Sequence, residues 1–100
     1  MAGPADTEGD PFEAEARALA GVFVATRRAD LDGLERDLRA ADFDAIRRVG
    51  HVFRGSGATF GFPEAGRLGA LLEERAALGD LAGCRELLGP LRESLDLERD

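Results

Sequence analysis

Apolar residues recur along this chain at every third or fourth position, and no stretch alternates apolar with polar as a half-buried strand does. From Phe12, the positions Ala16, Leu19 and Phe23 begin one stripe, and Leu34, Leu38 and Ala41 resume its phase after the polar Arg27 to Asp30. The pattern predicts one long first helix to about Ala40, with a break at Asp30 as the alternative. Asp42 is the next N-cap candidate, and the helix it starts carries Ile46, Val49, Phe53 and Phe60 on one side. Gly61 followed by Phe62-Pro63 reads as a stop signal joined to a start signal. A third helix, Pro63 to Leu78, places Leu68, Leu71, Leu72 and Leu78 together, with acidic Glu64 at its electropositive end. Gly79-Asp80 ends that helix and caps another, whose stripe is Leu81, Cys84, Leu87, Leu88, Leu91 and Leu95, with a kink expected at Gly89-Pro90. Four amphipathic helices on short links predict an all-α fold, an up-down-up-down four-helix bundle over residues 12–100. Residues 1–11, rich in Gly, Pro, Asp and Glu with no apolar period, are expected to be a disordered lead-in.

Composition narrows the function without naming it. One hundred residues make one domain, too few for an ATP-binding fold beside a second module. A hydrophobic share of 44% and a charged share of 33% suit a folded soluble chain, with no apolar run of membrane-spanning length. The N-terminus lacks the basic flank and apolar segment of a secretory signal, so a cytoplasmic location is expected. A single cysteine, Cys84, excludes an intramolecular disulfide and reads as a packed, inert thiol. A single histidine, His51, offers no metal-ligand spacing, and no cofactor is expected on this chain. A net charge of −7 argues against sequence-independent binding to nucleic acid, which needs clustered positive charge. All 13 basic residues are arginine, and lysine, asparagine, glutamine, tyrosine and tryptophan are absent, a bias of the whole chain rather than of one site.

The candidate chemistry sits on the second helix. At about 100° per residue, His51 lies opposite Ile46, Val49 and Phe53 and faces water. Arg47 and Arg48 share its face one turn before, Arg54 and Gly55 one turn after, and Ala58 lies beyond. Guanidiniums around an imidazole disfavour its protonation, which leaves a ring nitrogen free as a nucleophile. Three glycines in one helix are costly, since each destabilises a helix interior by about 1 kcal/mol relative to alanine. Gly57 lies toward the apolar side, where close helix packing explains it; Gly55 lies on the exposed side, where a missing side chain lets another molecule approach the imidazole. Ser56 points about 140° from His51 and reads as a back-bond to the carbonyl of Val52 or a contact with a neighbouring helix. No carboxylate shares the His51 face on its own helix, so a Ser-His-Asp arrangement has no local support.

The run His51-Val52-Phe53-Arg54-Gly55-Ser56-Gly57, followed by Ala58-Thr59-Phe60-Gly61-Phe62, resembles the signature of histidine-containing phosphotransfer (HPt) domains. That signature is His, two residues, Lys, Gly, Ser, then small residues and Phe-Gly. The likeness extends in pattern from about Leu19 to Leu95. It implies a four-helix bundle whose exposed His51 accepts a phosphoryl group from a response-regulator receiver aspartate and hands it on, in a multistep phosphorelay fed by a hybrid sensor kinase. It implies Arg54 beside the phosphoryl group, Gly55 clearing space for the receiver, and a docking face of Arg47, Arg48, Val52, Gly55, Ala58 and Thr59. Mg2+ is then expected on the partner receiver, and this chain is expected to be a monomeric phosphocarrier rather than a kinase. Arg54 stands where the family's usual residue is lysine, and Gly57 where a small hydroxylic residue or alanine is usual; arginine still brings positive charge, in a planar fork of different geometry. The alternative reading is a bundle that docks on a receiver or kinase as a modulator without carrying phosphate.

Overall fold

The computed structural model describes residues 11–97. The expected lead-in falls at residues 1–10 outside that range, apart from Pro11, which is helical. Helix α1, Pro11–Arg39, runs through Asp30 without a break. Proline suits that first position, because the helix asks nothing of its missing N–H there. Helix α2 is Phe43–Ser56, α3 is Pro63–Ala77, α4 is Leu81–Glu86 and α5 is Leu88–Leu97. α4 and α5 together form the fourth rod of an all-α four-helix bundle, in which α1 packs on α2 and α5, and α3 packs on α2, α4 and α5.

Three links of one design turn the chain. After α1, the Asp42 N–H donates to the Asp37 carbonyl (3.0 Å) and the Ala41 N–H to the Leu38 carbonyl (3.1 Å). The same crossed pair recurs after α2, from Phe62 to Gly57 and from Gly61 to Ala58, and after α3, from Asp80 to Arg75 and from Gly79 to Ala76. This is the Schellman arrangement, which requires a left-handed residue at the crossing. Gly61 (φ 89°) and Gly79 (φ 70°) supply it, and at the first link Ala41 (φ 53°) does. Asp42 and Asp80 then accept from the N–H groups of Ala45 (3.2 Å) and Gly83 (2.9 Å), capping α2 and α4.

Several expectations need correction. Regular helix α2 ends at Ser56, not at Gly61, and residues 57–60 form a further turn. Phe60 therefore leaves the stripe of Ile46 and Phe53 and lies partly exposed, its ring stacked 5.1 Å from that of Phe23. Ala41 and Leu78, at the link positions, are exposed. In α1 the core begins at Phe23: Ala16 and Leu19 are exposed, because the 29-residue helix outruns its 14- and 15-residue neighbours. The fourth rod breaks at Leu87 rather than at Gly89-Pro90, which puts Pro90 in the first turn of α5, where a missing N–H costs little. Of the predicted stripes, Phe23, Leu34, Leu38, Ile46, Phe53, Leu68, Leu72, Cys84, Leu87, Leu91 and Leu95 are buried, Val49, Leu71, Leu81 and Leu88 pack partly buried against them, and Leu31, Phe62, Ala65 and Ala76 join the core.

Candidate functional site

Helix α2 presents His51 outward, its side chain 60% exposed, while Ile46 and Phe53 on the opposite side are fully buried. Arg47, Arg48, Val52, Arg54 and Gly55 are exposed on the same helix. Ala58 and Thr59 are exposed too, but they lie in the turn that follows the helix. A β-carbon on Gly55 would meet nothing within 4 Å, so the space beside His51 is open.

His51 is not surrounded by guanidiniums alone. Glu73 of α3 reaches across, with Oε2 3.2 Å from His51 Nδ1. Its other oxygen, Oε1, accepts from Arg54 Nε at 2.9 Å, and Arg54 Nη2 lies 3.2 Å from the same Nδ1. The three side chains form a closed triangle on the surface between α2 and α3. The two contacts at Nδ1 call for opposite proton states, since that atom donates to Glu73 when protonated and accepts from Arg54 when not. The Glu73 contact leaves a lone pair on Nε2, while the Arg54 contact places the ring proton there.

The triangle exists because α2 and α3 touch backbone to backbone. A β-carbon on Gly50 would lie 2.6 Å from the Glu73 nitrogen and 2.8 Å from the Gly69 carbonyl oxygen. One on Gly57 would lie 2.5 Å from the Gly66 nitrogen, as the close-packing reading of Gly57 requires. No side chain fits at these crossings, so the glycines bring Glu73 within reach of the imidazole.

Residues 18–100 match the Hpt domain family. The chain belongs to that family. Hpt domains are phosphocarrier modules without kinase activity, act in histidine phosphotransfer in two-component signalling, and interact with receiver domains and kinases in phosphorelays. No curated protein and no solved structure matches the chain. No helix among the described residues is long and apolar enough to cross a membrane.

In this Hpt domain, the Ser56 hydroxyl is engaged away from His51. It donates to the Val52 carbonyl (2.6 Å) and accepts from Arg27 Nη1 (3.4 Å). Arg27 lies over the rings of Phe23 and Phe53, at 5.5 and 6.0 Å from their centroids, and pairs with Asp30. Cys84 is buried, and that burial, followed by the nearby Asp80 carboxylate, pushes its thiol pKa up. The residue that the sequence reading missed is Glu73. Its signal was present in the glycines: Gly66, Gly69 and Glu73 fall on one side of α3, and Gly50 and Gly57 on one side of α2.

Proposed function

We propose that His51 is the phosphoryl carrier, accepting the group from a receiver-domain aspartate and passing it to another in a multistep relay fed by a hybrid sensor kinase. The observation that carries this reading is the half-free imidazole: His51 is exposed, and Glu73 lies 3.2 Å from Nδ1, a contact that with the proton on Nδ1 leaves the Nε2 lone pair for phosphorus. Phosphoryl transfer needs little from the protein beyond positioning and charge neutralisation. The Nε2 lone pair attacks phosphorus in line as the bond to the aspartyl oxygen breaks, and the carboxylate leaves with its electron pair. Arg54, anchored one turn along, supplies positive charge to the transferring oxygens. In this reading the Mg2+ of the reaction belongs to the receiver.

The docking face consists of Val52, Gly55, Ala58 and Thr59, with Arg47 and Arg48 on its rim. Gly55 is its centre, because the open space above it admits a partner's surface to within reach of the ring. In this reading the chain works in the cytoplasm. The test is incubation with a phosphorylated receiver domain, followed by a search for acid-labile, base-stable label. Label on His51 that disappears in His51→Gln, with helicity retained, is the expected result. A receiver that binds while His51 stays unmodified would make the chain a docking modulator instead.

A further inference from the structure

We propose that the negative charge of Glu73, beyond its hydrogen bond, holds the Nδ1 proton on His51 while the ring carries a phosphoryl group, so that the group leaves from a protonated ring. The inference rests on the phosphocarrier reading above. Glu73 is here a positioning residue, acting through the imidazole and not on phosphorus.

When the neutral ring, protonated on Nδ1, takes a phosphoryl group on Nε2, it becomes a cation with a dianionic group attached. Release breaks the N–P bond and returns its electron pair to Nε2. If Nδ1 still carries its proton, the departing ring is neutral imidazole. If Nδ1 has lost it, the departing ring is imidazolate, a far more basic and far poorer leaving group, and transfer slows. A carboxylate 3.2 Å from Nδ1 favours the protonated, cationic ring through both charge and hydrogen bond, whereas a neutral amide in the same place offers the hydrogen bond alone. Glu73 is only 21% exposed, which limits solvent screening of that charge.

The other charges around the ring do not take this role. Arg47, Arg48 and Arg54 of α2 are cations and oppose a positive ring. On α1, the neighbour on the other flank of α2, Arg27 and Asp30 pair with each other, and Arg27 donates to Ser56. On α3, Glu73 is the carboxylate within hydrogen-bond distance of the imidazole. Arg54 now shares Glu73 with His51; once a phosphoryl group arrives, its guanidinium has a dianion to turn to, and Glu73 is left to the Nδ1 proton.

The experiment needs no cognate partner for the release step. The full chain is loaded at His51 with phosphoramidate or with a phosphorylated receiver, the donor is removed, and decay of the phosphohistidine is followed from pH 5 to pH 9. Wild type and Glu73→Gln are expected to decay alike at pH 5, where both rings are protonated. The pH above which decay slows is expected to fall by about one unit or more in Glu73→Gln, leaving it at least about threefold slower at pH 8. In the phosphorylated wild type, 15N spectroscopy is expected to show a protonated Nδ1 at pH 8. Superimposed decay profiles, or a wild-type Nδ1 already deprotonated at pH 8, would overturn the inference while leaving the phosphocarrier reading intact. A wild type that takes no label on His51 from either donor would overturn that reading, and the inference with it.

Discussion

Gly50 and Gly69 occupy each other's side-chain space: a β-carbon on either would lie 2.8 Å from the carbonyl oxygen of the other. Backbone atoms on both sides cannot rotate away, so the crossing of α2 and α3 has no slack. Gly50→Ala should therefore destabilise the domain, although alanine is the better helix former by about 1 kcal/mol. Overpacking of this kind costs roughly 1–3 kcal/mol and more where backbone must shift, read as a lower urea midpoint. A midpoint equal to wild type would mean that the helices part without penalty.

Gly55 predicts the opposite. With nothing within 4 Å of its missing β-carbon and no positive φ, Gly55→Leu should hold or raise stability by up to about 0.5–1 kcal/mol. The same mutant should accept phosphate poorly from a receiver, yet be affected much less with phosphoramidate, which needs no broad contact. Normal transfer from a receiver would remove Gly55 from the docking face.

Arg54→Ala should slow transfer far more than it weakens receiver binding. Removing a preorganised donor from an enclosed oxyanion site costs about 10²–10³ in rate, and exposed Arg54 should cost less, about tenfold or more. Arg54→Lys keeps the charge without the fork and should retain most activity. Stopped-flow transfer beside a binding isotherm separates rate from docking, and an Arg54→Ala rate equal to wild type would exclude Arg54 from the chemistry.

Ala41 holds the left-handed position that Gly61 and Gly79 hold in the matching links. A residue with a β-carbon pays roughly 1–2 kcal/mol for that conformation. Ala41→Gly should recover about 1 kcal/mol, less the entropy glycine gains in the unfolded chain, and thermal unfolding checks it.

Cys84 links stability to alkaline pH. Its folded pKa is raised by burial, so the unfolded chain ionises first, and stability is lost as pH rises through the unfolded value of about 8.5 toward the folded one. Cys84→Ser should flatten that decline in urea titrations at successive pH values; an unchanged slope would assign the decline to other groups.

Periodicity carried the bundle and the outward face of His51, because a helix face is a local property of spacing. The back-bond of Ser56 and the packing of Gly57 followed from the same wheel. Glu73 did not, since its meeting with His51 depends on how closely two helices approach, and that distance is set by glycines on both. The end of α2 was misplaced for a related reason. Gly61 was a correct stop signal, but the turn of residues 57–60 in front of it has no distinct periodic mark. The break at Leu87 was not legible because proline tolerated in a first turn looks, in sequence, like proline kinking a helix.

Residues 11–19 are all exposed, while Leu31 and Leu34 in the same helix are wholly buried. A single ladder of hydrogen bonds thus crosses from a stretch that is marginal as an isolated helix to one held by the core. Amide exchange along α1 should fall by orders of magnitude between the two, with the slow end opening only when the whole bundle unfolds. The cooperative unit has its boundary inside a helix, about where Ala20 first meets the core, rather than at any loop.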